Sequence, residues 1–302
     1  MTSAGFHSAW ISEDGRAGSS GASGALFPWW SFTKTALAIA ALRLVEQGRV
    51  QLDDLRPGKR FTLRQLLTHR AGLPDYGRIP AYQEAAARRD DAWDRAQLLH
   101  AAEADRLLFE PGAGWAYSNI GYLFVGDSIE QASGLPLAAA LRALVLDPIG
   151  LTETHLARKR ADFRDIFWPF LRNYDPRWVY HGCLIGPPVD AARLLHALFE
   201  GALLPPAVVA TMHERFTPLG DAPPGHPETG IGYGMGLMLG RMDAAGRIWG
   251  HAGAGPGCVN ALCHFPDLEP AITVAVFTDG EDDGRAQWEA RSIAIEARQG
   301  LT

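Results

Sequence analysis

The segment Ser31 to Gln47 constrains the fold most, because its helical pattern is apolar on nearly all sides. It is rich in Ala, Leu, Ile and Val, and Gly48 ends it. A helix that is apolar all round is expected to be buried, so the rest of the chain must enclose it. With 302 residues, one large domain or two lobes can form a substantial core.

Strand patterns lie at both ends of the chain, and helical patterns lie between them. Ser8 to Ser12 is strand-like, and Arg16 to Gly24 is a weak second strand. The middle has helical spacing at Leu63 to His69, Tyr82 to Arg88, Trp93 to Glu103, Ile120 to Ser133, Leu137 to Val145 and Val189 to Phe199. Strand patterns return at Tyr233 to Met242, Arg247 to His251, Gly257 to Phe265 and Ala271 to Thr278, before a helix at Trp288 to Arg298.

This order predicts an α/β (α+β) fold with an antiparallel sheet built from both chain ends. Helices flank the sheet, and a helical lobe is inserted between its two halves. We expect residues 1–52 plus 229–302 to form the sheet lobe and residues 53–228 to form the helical lobe. A cleft between two such lobes is a natural site for a small molecule.

Composition excludes several classes of function. The net charge is -6, and Arg158-Lys159-Arg160 is the only tight basic cluster, which is too small to indicate nucleic-acid binding. Three cysteines without a Cys-x-x-Cys pair predict neither a disulfide framework nor a zinc site. The ten histidines show no ligand spacing, so we expect no metal and no cofactor.

Neither a targeting segment nor a membrane span is visible in the sequence. Met1 to Asp14 has no basic start followed by an apolar stretch, and no segment is apolar for long enough to cross a bilayer. We therefore expect a cytoplasmic protein without membrane partners, or a periplasmic or secreted one if a leader was removed. The sequence leaves the oligomeric state open.

Ser31 and Lys34 form a Ser-x-x-Lys pair at the start of the buried helix. Residues three apart share a helical face, so the Lys34 amine can lie near the Ser31 hydroxyl. A serine hydroxyl needs a base to become a good nucleophile, and desolvation can lower the pKa of a lysine enough to make it that base. The alternative is a helix-capping serine beside an exposed lysine.

Tyr117-Ser118-Asn119 follows a turn and precedes the apolar helix pattern that begins at Ile120. Tyr117 can point into a cleft from there and shuttle a proton, and the Asn119 amide can bridge Lys34 and a substrate carbonyl. The alternative is that Ser118 or Asn119 simply caps the helix. Both interpretations can hold together.

Trp249 to Gly255, with the sequence WGHAGAG, ends one strand and leads into another. Its glycines let a substrate lie against the strand edge. We expect the His251 imidazole to project into the cleft and the Ala254 N–H to serve as an oxyanion donor opposite that of Ser31. The alternative is a tight Gly-rich hairpin with an incidental histidine.

Together the three motifs, in the order Ser-x-x-Lys, Tyr-x-Asn and His-x-Gly, resemble the signature set of penicillin-binding proteins and serine beta-lactamases. The closest likeness is to the class C-like branch, which includes esterases, D-aminopeptidases and transacylases. Four longer stretches share the resemblance: Leu42 to Asp54, Phe61 to Tyr76, Phe109 to Gly126 and Gly182 to Phe199.

The resemblance implies a role for each matching residue. Ser31 attacks a carbonyl, Lys34 and Tyr117 take and return its proton, and Asn119 positions the substrate. The N–H groups of Ser31 and Ala254 form the oxyanion hole, beside Gly253. His251 lies where many relatives have a lysine.

Three departures from the family pattern shape the expected function. Only 30 residues precede Ser31, so strands could be missing or shortened. Trp29-Trp30 is bulky, and Trp30 could narrow the substrate pocket. His251 suits the carboxylate of a beta-lactam less well than a lysine does.

The expected function is a serine hydrolase that forms an acyl-Ser31 intermediate on small esters, amides or D-peptides, with weak or no beta-lactamase activity. Two alternatives stay open: a biosynthetic acyltransferase, and a non-hydrolytic penicillin-binding or sensor protein on the same fold.

Overall fold

A computed structural model describes residues 5–214 and 216–300. In chain order the β-strands are β1 His7–Ser12, β2 Ala17–Ser20, β3 Phe27–Pro28, β4 His155–Ala157, β5 Cys183–Gly186, β6 Thr217–Gly220, β7 Thr229–Tyr233, β8 Met238–Met242, β9 Gly246–Gly255, β10 Cys258–Phe265 and β11 Ile272–Asp279. The α-helices are α1 Thr33–Glu46, α2 Leu63–Leu67, α3 Pro80–Ala87, α4 Arg95–Ala101, α5 Asn119–Ser133, α6 Leu137–Leu141, α7 Pro188–Phe199, α8 Pro206–His213 and α9 Asp283–Gln299.

A large antiparallel sheet is built from both ends of the chain, as the sequence predicts. Its eight strands run in the order β2-β1-β11-β10-β9-β8-β7-β6. The join between the two chain ends is the β1–β11 pair, in which Trp10 lies opposite Val274. The predicted α+β class is confirmed, and a small second sheet, β3-β5-β4, adds to it.

The central strands of the large sheet are covered on both faces. All eight residues of β10 are buried, since α7 packs on one face and α9 on the other. A strand covered on both sides needs apolar residues at every position rather than at alternate ones. This explains why Cys258 to Phe265 and Ile272 to Thr278 are nearly continuous apolar runs.

Helix α1 lies at the centre of the larger core, and the prediction that it is buried is confirmed. From Thr33 to Leu42 every residue is buried, and the helix packs against α5. Burial of a helix on all sides leaves it little freedom to move, so its first turn helps to fix the position of the residues that precede it.

Several boundaries differ from the predicted ones. Ser31 lies in the 3₁₀ turn Trp30–Phe32 just before α1. The predicted strand Tyr233 to Met242 is instead two strands, β7 and β8. The connection between them passes close to α8, because a Cβ on Gly234 would lie 1.9 Å from the Met212 carbonyl oxygen. Glycines in an otherwise apolar stretch were the available signal for this break.

Short elements escaped the sequence prediction: β3, β4, β5, β6 and α8. Strand β6 falls within the segment predicted as the helical lobe, yet it is the last strand of the large sheet. The strands before Ser31 are present but short, with four residues in β2 and two in β3. The division into two lobes at 52/53 and 228/229 stays a prediction.

In the described residues, no single helix is long and apolar enough to cross a membrane. One bent pair, Asn119–Ser133 followed by Leu137–Ile149, meets that test of length and composition only when the two are taken together.

Candidate active site

The turn that carries Ser31 is held in an uncommon backbone conformation. Trp30, immediately before Ser31, has a φ of 44°, in the left-handed region that costs a bulky residue free energy. Its indole is buried, and Nε1 donates a hydrogen bond to Cys258 Sγ at 3.3 Å. A Cβ on Gly255 would lie 2.3 Å from the Trp30 ring, so the glycine is what allows this close packing. The sheet therefore fixes the residue before Ser31.

Two side chains meet the Ser31 hydroxyl. Lys34 Nζ lies 2.9 Å from Ser31 Oγ, as expected from their spacing at the helix start. Tyr117 Oη donates to the same Oγ at 3.0 Å. The structure thus brings together the first three residues that the sequence singled out.

Lys34 is fully buried, which changes its acid–base chemistry. Desolvation lowers its pKa well below the usual value, and Asp75 and Cys183 offset this only in part. Its Nζ lies over the Tyr117 ring, 5.0 Å from the centroid. Burial therefore favours the neutral amine, which is the form that can accept a proton from Ser31.

Tyr117-Ser118-Asn119 serves both as a helix start and as part of the site. The Ser118 hydroxyl caps α5 by accepting from Gly121 N at 3.0 Å. Asn119 begins α5, and its backbone N–H donates to Asp75 Oδ1 at 2.8 Å. Its side chain lines the cleft that contains Ser31. No hydrogen bond joins it to Lys34 within the described residues, so the expected bridge is not formed here.

Strand β9 presents a free edge to the site. Met238, the first residue of β8, lies opposite Gly250, and the strand neighbour of β9 beyond this point is β10. The Ala252 N–H points toward the β8 side, where it donates to Met238 Sδ at 3.4 Å. Backbone directions repeat every second residue along a strand, so the Ala254 N–H points to the same edge. Ala254 lines the cleft with Ser31.

Gly253 and Asn260 lie opposite each other and attach the segment before Ser31 to the sheet. Asn260 Nδ2 donates to the carbonyl oxygens of Pro28 and Trp29 at 3.3 and 3.2 Å. A Cβ on Gly253 would lie 2.8 Å from the Trp29 carbonyl oxygen. Gly253 is thus needed for close backbone approach, and it is not among the residues that line the cleft.

His251 lies near Lys34 and lines a cavity together with Tyr117. Nε2 lies 3.0 Å from Tyr233 Oη, and Nδ1 lies 2.6 Å from the Ala252 carbonyl oxygen. Burial and the proximity of Lys34 lower its pKa to about 3, so it is a neutral imidazole. No hydrogen bond joins it to Ser31 among the described residues, and its catalytic role stays a prediction.

His181 is the site residue that the sequence analysis missed. Its Nε2 lies 3.1 Å from Lys34 Nζ, and it lines the Ser31 cleft. Burial, with Lys34 nearby, lowers its pKa well below the usual range. Its Nδ1 is buried and has no hydrogen-bond partner among the described residues. The one signal in the sequence was its position beside Gly182, at the edge of a family-like stretch.

A second buried histidine, His69, supports the Tyr117 ring. The two ring centroids are 4.4 Å apart, and His69 Nδ1 accepts from Ser118 N at 3.1 Å. Burial and the proximity of Lys34 lower its pKa well below the usual value. Thus His69, His181 and His251 are all neutral groups near Lys34.

The cleft around Ser31 has a volume of about 570 Å³. Aromatic side chains form much of its wall: Trp30, Tyr76, Tyr82 and Tyr174. Asn119, His181 and Glu281 supply polar groups. Of the described residues that line it, none is a lysine or an arginine.

Comparisons with known proteins agree with this geometry. Penicillin-binding protein 4* of Bacillus subtilis is 26% identical over 296 residues, covering 85% of this chain and 61% of that protein. Esterase EstB of Burkholderia gladioli is 34% identical over 151 residues, covering 42% of this chain and 38% of that protein. The chain therefore spans less than two thirds of the length of either relative.

A D-stereospecific amidohydrolase from Streptomyces sp. has a similar structure, with a TM-score of 0.75 and 26% identity. The alignment covers 98% of this chain and 94% of that one. The profile of the family described as Beta-lactamase matches residues 6–297. Since that match spans nearly the whole sequence, the chain belongs to the beta-lactamase family.

Proposed function

We propose that this protein is a serine acyl-hydrolase that acts on small esters, amides or D-peptides through an acyl-Ser31 intermediate. The observation that carries the proposal is the double contact at Ser31 Oγ, with Lys34 Nζ at 2.9 Å and Tyr117 Oη at 3.0 Å. One partner is a buried amine suited to accept a proton, and the other is a hydroxyl suited to donate one.

In the first step, Lys34 takes the hydroxyl proton as Ser31 Oγ attacks the substrate carbonyl carbon. The negative charge that develops on the carbonyl oxygen is stabilised by the backbone N–H groups of Ser31 and Ala254. The free edge of β9 suits this role, because its N–H groups are not taken up by strand pairing. Such donors act strongly in a desolvated site.

Tyr117 acts as the proton donor to the leaving group. Burial raises its pKa far above the usual value, so the phenol keeps its proton until the carbonyl–leaving-group bond breaks. The resulting phenolate is reprotonated by the Lys34 ammonium. Water then attacks the acyl-Ser31 ester, and the same two groups move the protons in the opposite direction.

The cleft supports a neutral or amine-bearing substrate with an apolar group. Its aromatic wall offers large apolar contact, and the relatives reported above include a named esterase and a named D-stereospecific amidohydrolase. A carboxylate-bearing substrate fits less well, because Glu281 lines the cleft and His251 is neutral. We therefore expect slow turnover of penicillins.

Acyl transfer is the second candidate. A cleft of about 570 Å³ can hold an acyl group and still leave room for an alcohol or amine acceptor. Hydrolysis and transfer share the acyl-Ser31 intermediate and differ in what removes it. A non-hydrolytic sensor shares the acylation step and differs in that its acyl-Ser31 ester persists.

The first experiment follows p-nitrophenyl butyrate and a penicillin by product release and by intact mass. We expect ester turnover that is lost in Ser31→Ala and kept in Ser20→Ala, an exposed serine of β2. Full turnover by Ser31→Ala would refute the proposal. A lasting acyl adduct without turnover would point to the sensor alternative, and faster ester loss with an added alcohol would point to transfer.

A further inference from the structure

A second cavity, of about 280 Å³, lies near Ser31, because Tyr117 lines it and contacts Ser31 Oγ. His251 lines it as well. Its walls include one apolar side chain from each of the strands β6 to β10: Leu219, Ile231, Leu239, Ile248 and Ala261. This space is far larger than a single water site, so it can hold a short organic chain.

Glu228 lines the same cavity, and its buried carboxyl group includes an unsatisfied hydrogen-bond acceptor. The residue is 8% exposed, and its Oε2 is buried without a hydrogen-bond partner in the described part of the chain. A buried carboxylate without a partner is costly. Burial accordingly raises the pKa of Glu228 to about 7. A cation placed in the cavity would supply the missing partner.

The groups around Glu228 do not supply that partner. His226 Nδ1 lies 3.8 Å from Glu228 Oε2, but it lies only 2.7 Å from Gln287 Oε1, where it finds an acceptor. Asp283 on α9 also lines the cavity and adds negative charge. The Cys263 thiol on β10 stays protonated, because burial raises its pKa far above the usual value.

We propose that this cavity binds a short alkylammonium group, with the ammonium on Glu228 and the alkyl chain against the apolar walls. A charge-assisted hydrogen bond to the Glu228 carboxylate would offset the cost of burying it. At the Tyr117 end, the buried Trp115 Nε1 also lacks a partner within residues 5–214 and 216–300. Its N–H can donate to an oxygen at the far end of the same ligand.

A metal ion fits this region less well than an ammonium group. His226, Asp282 and Asp283 can bring one ligand atom each to within 4.8 Å of one another. Asp282, however, is the exposed N-cap of α9, and its Oδ1 accepts from Gly284 N at 3.0 Å. The positive end of the helix dipole also opposes a cation at that point. Glu228 lines the cavity instead.

The ammonium group could belong to the substrate or to a separate molecule. Tyr117 lines the cavity and its hydroxyl contacts Ser31 Oγ, so a substrate held at Ser31 could extend an amine-bearing chain past it. That part of the inference rests on the proposed hydrolase function, whereas amine binding by Glu228 does not.

The test of binding is a titration with hexylamine, above about pH 8, where a carboxyl group with a pKa of about 7 is ionised. Calorimetry gives the affinity. We expect saturable binding that weakens about ten- to hundredfold in Glu228→Gln. Hexanol, which has the same shape without the charge, should bind weakly and equally to both proteins.

The matched control is Glu289→Gln, which changes another partly buried carboxyl group on α9 that does not line the cavity. It should bind hexylamine as the unmodified protein does. Equal hexanol binding and retained butyrate turnover show that Glu228→Gln is folded. No saturable hexylamine binding, or binding that Glu228→Gln leaves unchanged, would overturn the proposal.

The source of the amine is decided by comparing p-nitrophenyl 6-aminohexanoate with p-nitrophenyl heptanoate, which has a methyl group in place of the amine. If the substrate carries the ammonium group, KM for the amino ester rises in Glu228→Gln while KM for the heptanoate does not. If a separate molecule carries it, both KM values stay unchanged and hexylamine still binds. Ser31→Ala should bind hexylamine normally, so failure of the hydrolase proposal would leave this readout intact.

Discussion

Two cavities near Tyr117 each contain a buried ionisable group, and the two groups differ in their hydrogen-bond partners. In the Ser31 cleft, Lys34 has Ser31 and His181 within 3.1 Å. In the other cavity, Glu228 keeps a buried oxygen without any such partner among the described residues. Both groups have pKa values shifted toward the neutral form by burial. The difference is that Lys34 finds polar partners within the protein, whereas Glu228 needs a ligand to provide one.

Removal of the base should break the first cluster most severely. Lys34→Met keeps the length and burial of the side chain but cannot accept a proton. We expect kcat on p-nitrophenyl butyrate to fall about 10³- to 10⁴-fold, with hexylamine affinity unchanged. Lys159→Met, at an exposed lysine, is the control and should behave as the unmodified protein. A Lys34→Met variant with a loss under tenfold would contradict the assignment of the base.

The incomplete cluster should show itself in the pH dependence of stability. The pKa of Glu228 rises from 4.5 to about 7 on folding, which corresponds to about 3 kcal/mol at most. A raised carboxyl pKa stabilises the fold fully below the unfolded value, and this contribution is lost as pH rises through the folded value. In denaturant unfolding, the free energy of unfolding of Glu228→Gln should therefore rise relative to that of the unmodified protein between about pH 4 and 8.

The groups that face Glu228 are also relevant to that titration: His226 from the same loop, Asp283 from α9 and Cys263 from β10. Saturating hexylamine should reduce the difference in free energy of unfolding between the two proteins above pH 7, since it supplies the missing partner. A difference that does not change with pH would mean that Glu228 is ionised and solvated in the folded protein.

Tyr117→Phe changes the residue that contacts Ser31 and also lines the second cavity. The ring and its packing on His69 remain, but the hydroxyl that donates to Ser31 Oγ is lost. We expect kcat for the ester to fall about 100-fold, with hexylamine binding unchanged. Steady-state kinetics and calorimetry on the same preparation separate the two effects. Loss of both together would indicate that the ring has moved.

Substitution of His181 should have the smallest effect on kcat, and the effect should appear mainly in the pH profile. Activity requires neutral Lys34, so kcat rises with pH through the lowered pKa of that amine. The titratable groups near Lys34 are Asp75, Cys183, His69, His181, His251 and Tyr117. A hydrogen bond from the Lys34 ammonium to the His181 Nε2 favours the charged form.

His181→Leu should therefore move the acidic limb of the kcat profile to lower pH and reduce kcat about tenfold. His181→Gln keeps an acceptor near Lys34 and should restore the position of the limb. An unchanged limb in His181→Leu would mean that His181 has a packing role alone.

The sequence predicts the parts of this site that depend on local spacing. Ser31 and Lys34 are three residues apart at a helix start, so their contact follows from helix geometry. Tyr117 is 86 residues from Ser31, and only the family resemblance brought it into the site. His181 is 147 residues from Lys34 and has no motif of its own, so no periodicity could reveal it.

The partners of His251 were not predictable for a different reason. The motif placed it correctly on a strand, but the direction of a side chain depends on the curvature of the sheet and on available partners. Tyr233, 18 residues away, offers its hydroxyl at 3.0 Å, and no pattern in the sequence links the two residues. The long central strands and α1 were predictable because an element that is buried on all sides has a nearly continuous run of apolar residues in the sequence.

Asn260 and the Trp30–Cys258 contact attach the Ser31 turn to the large sheet, whereas Tyr117 comes from the entrance to α5. The nucleophile and its oxyanion donor on β9 thus share one support, and the proton donor has another. Helix α5 packs in turn against α1, which carries Lys34. The nucleophile is therefore positioned mainly by the sheet, and the groups that move its proton are positioned by the packing of α1 against α5.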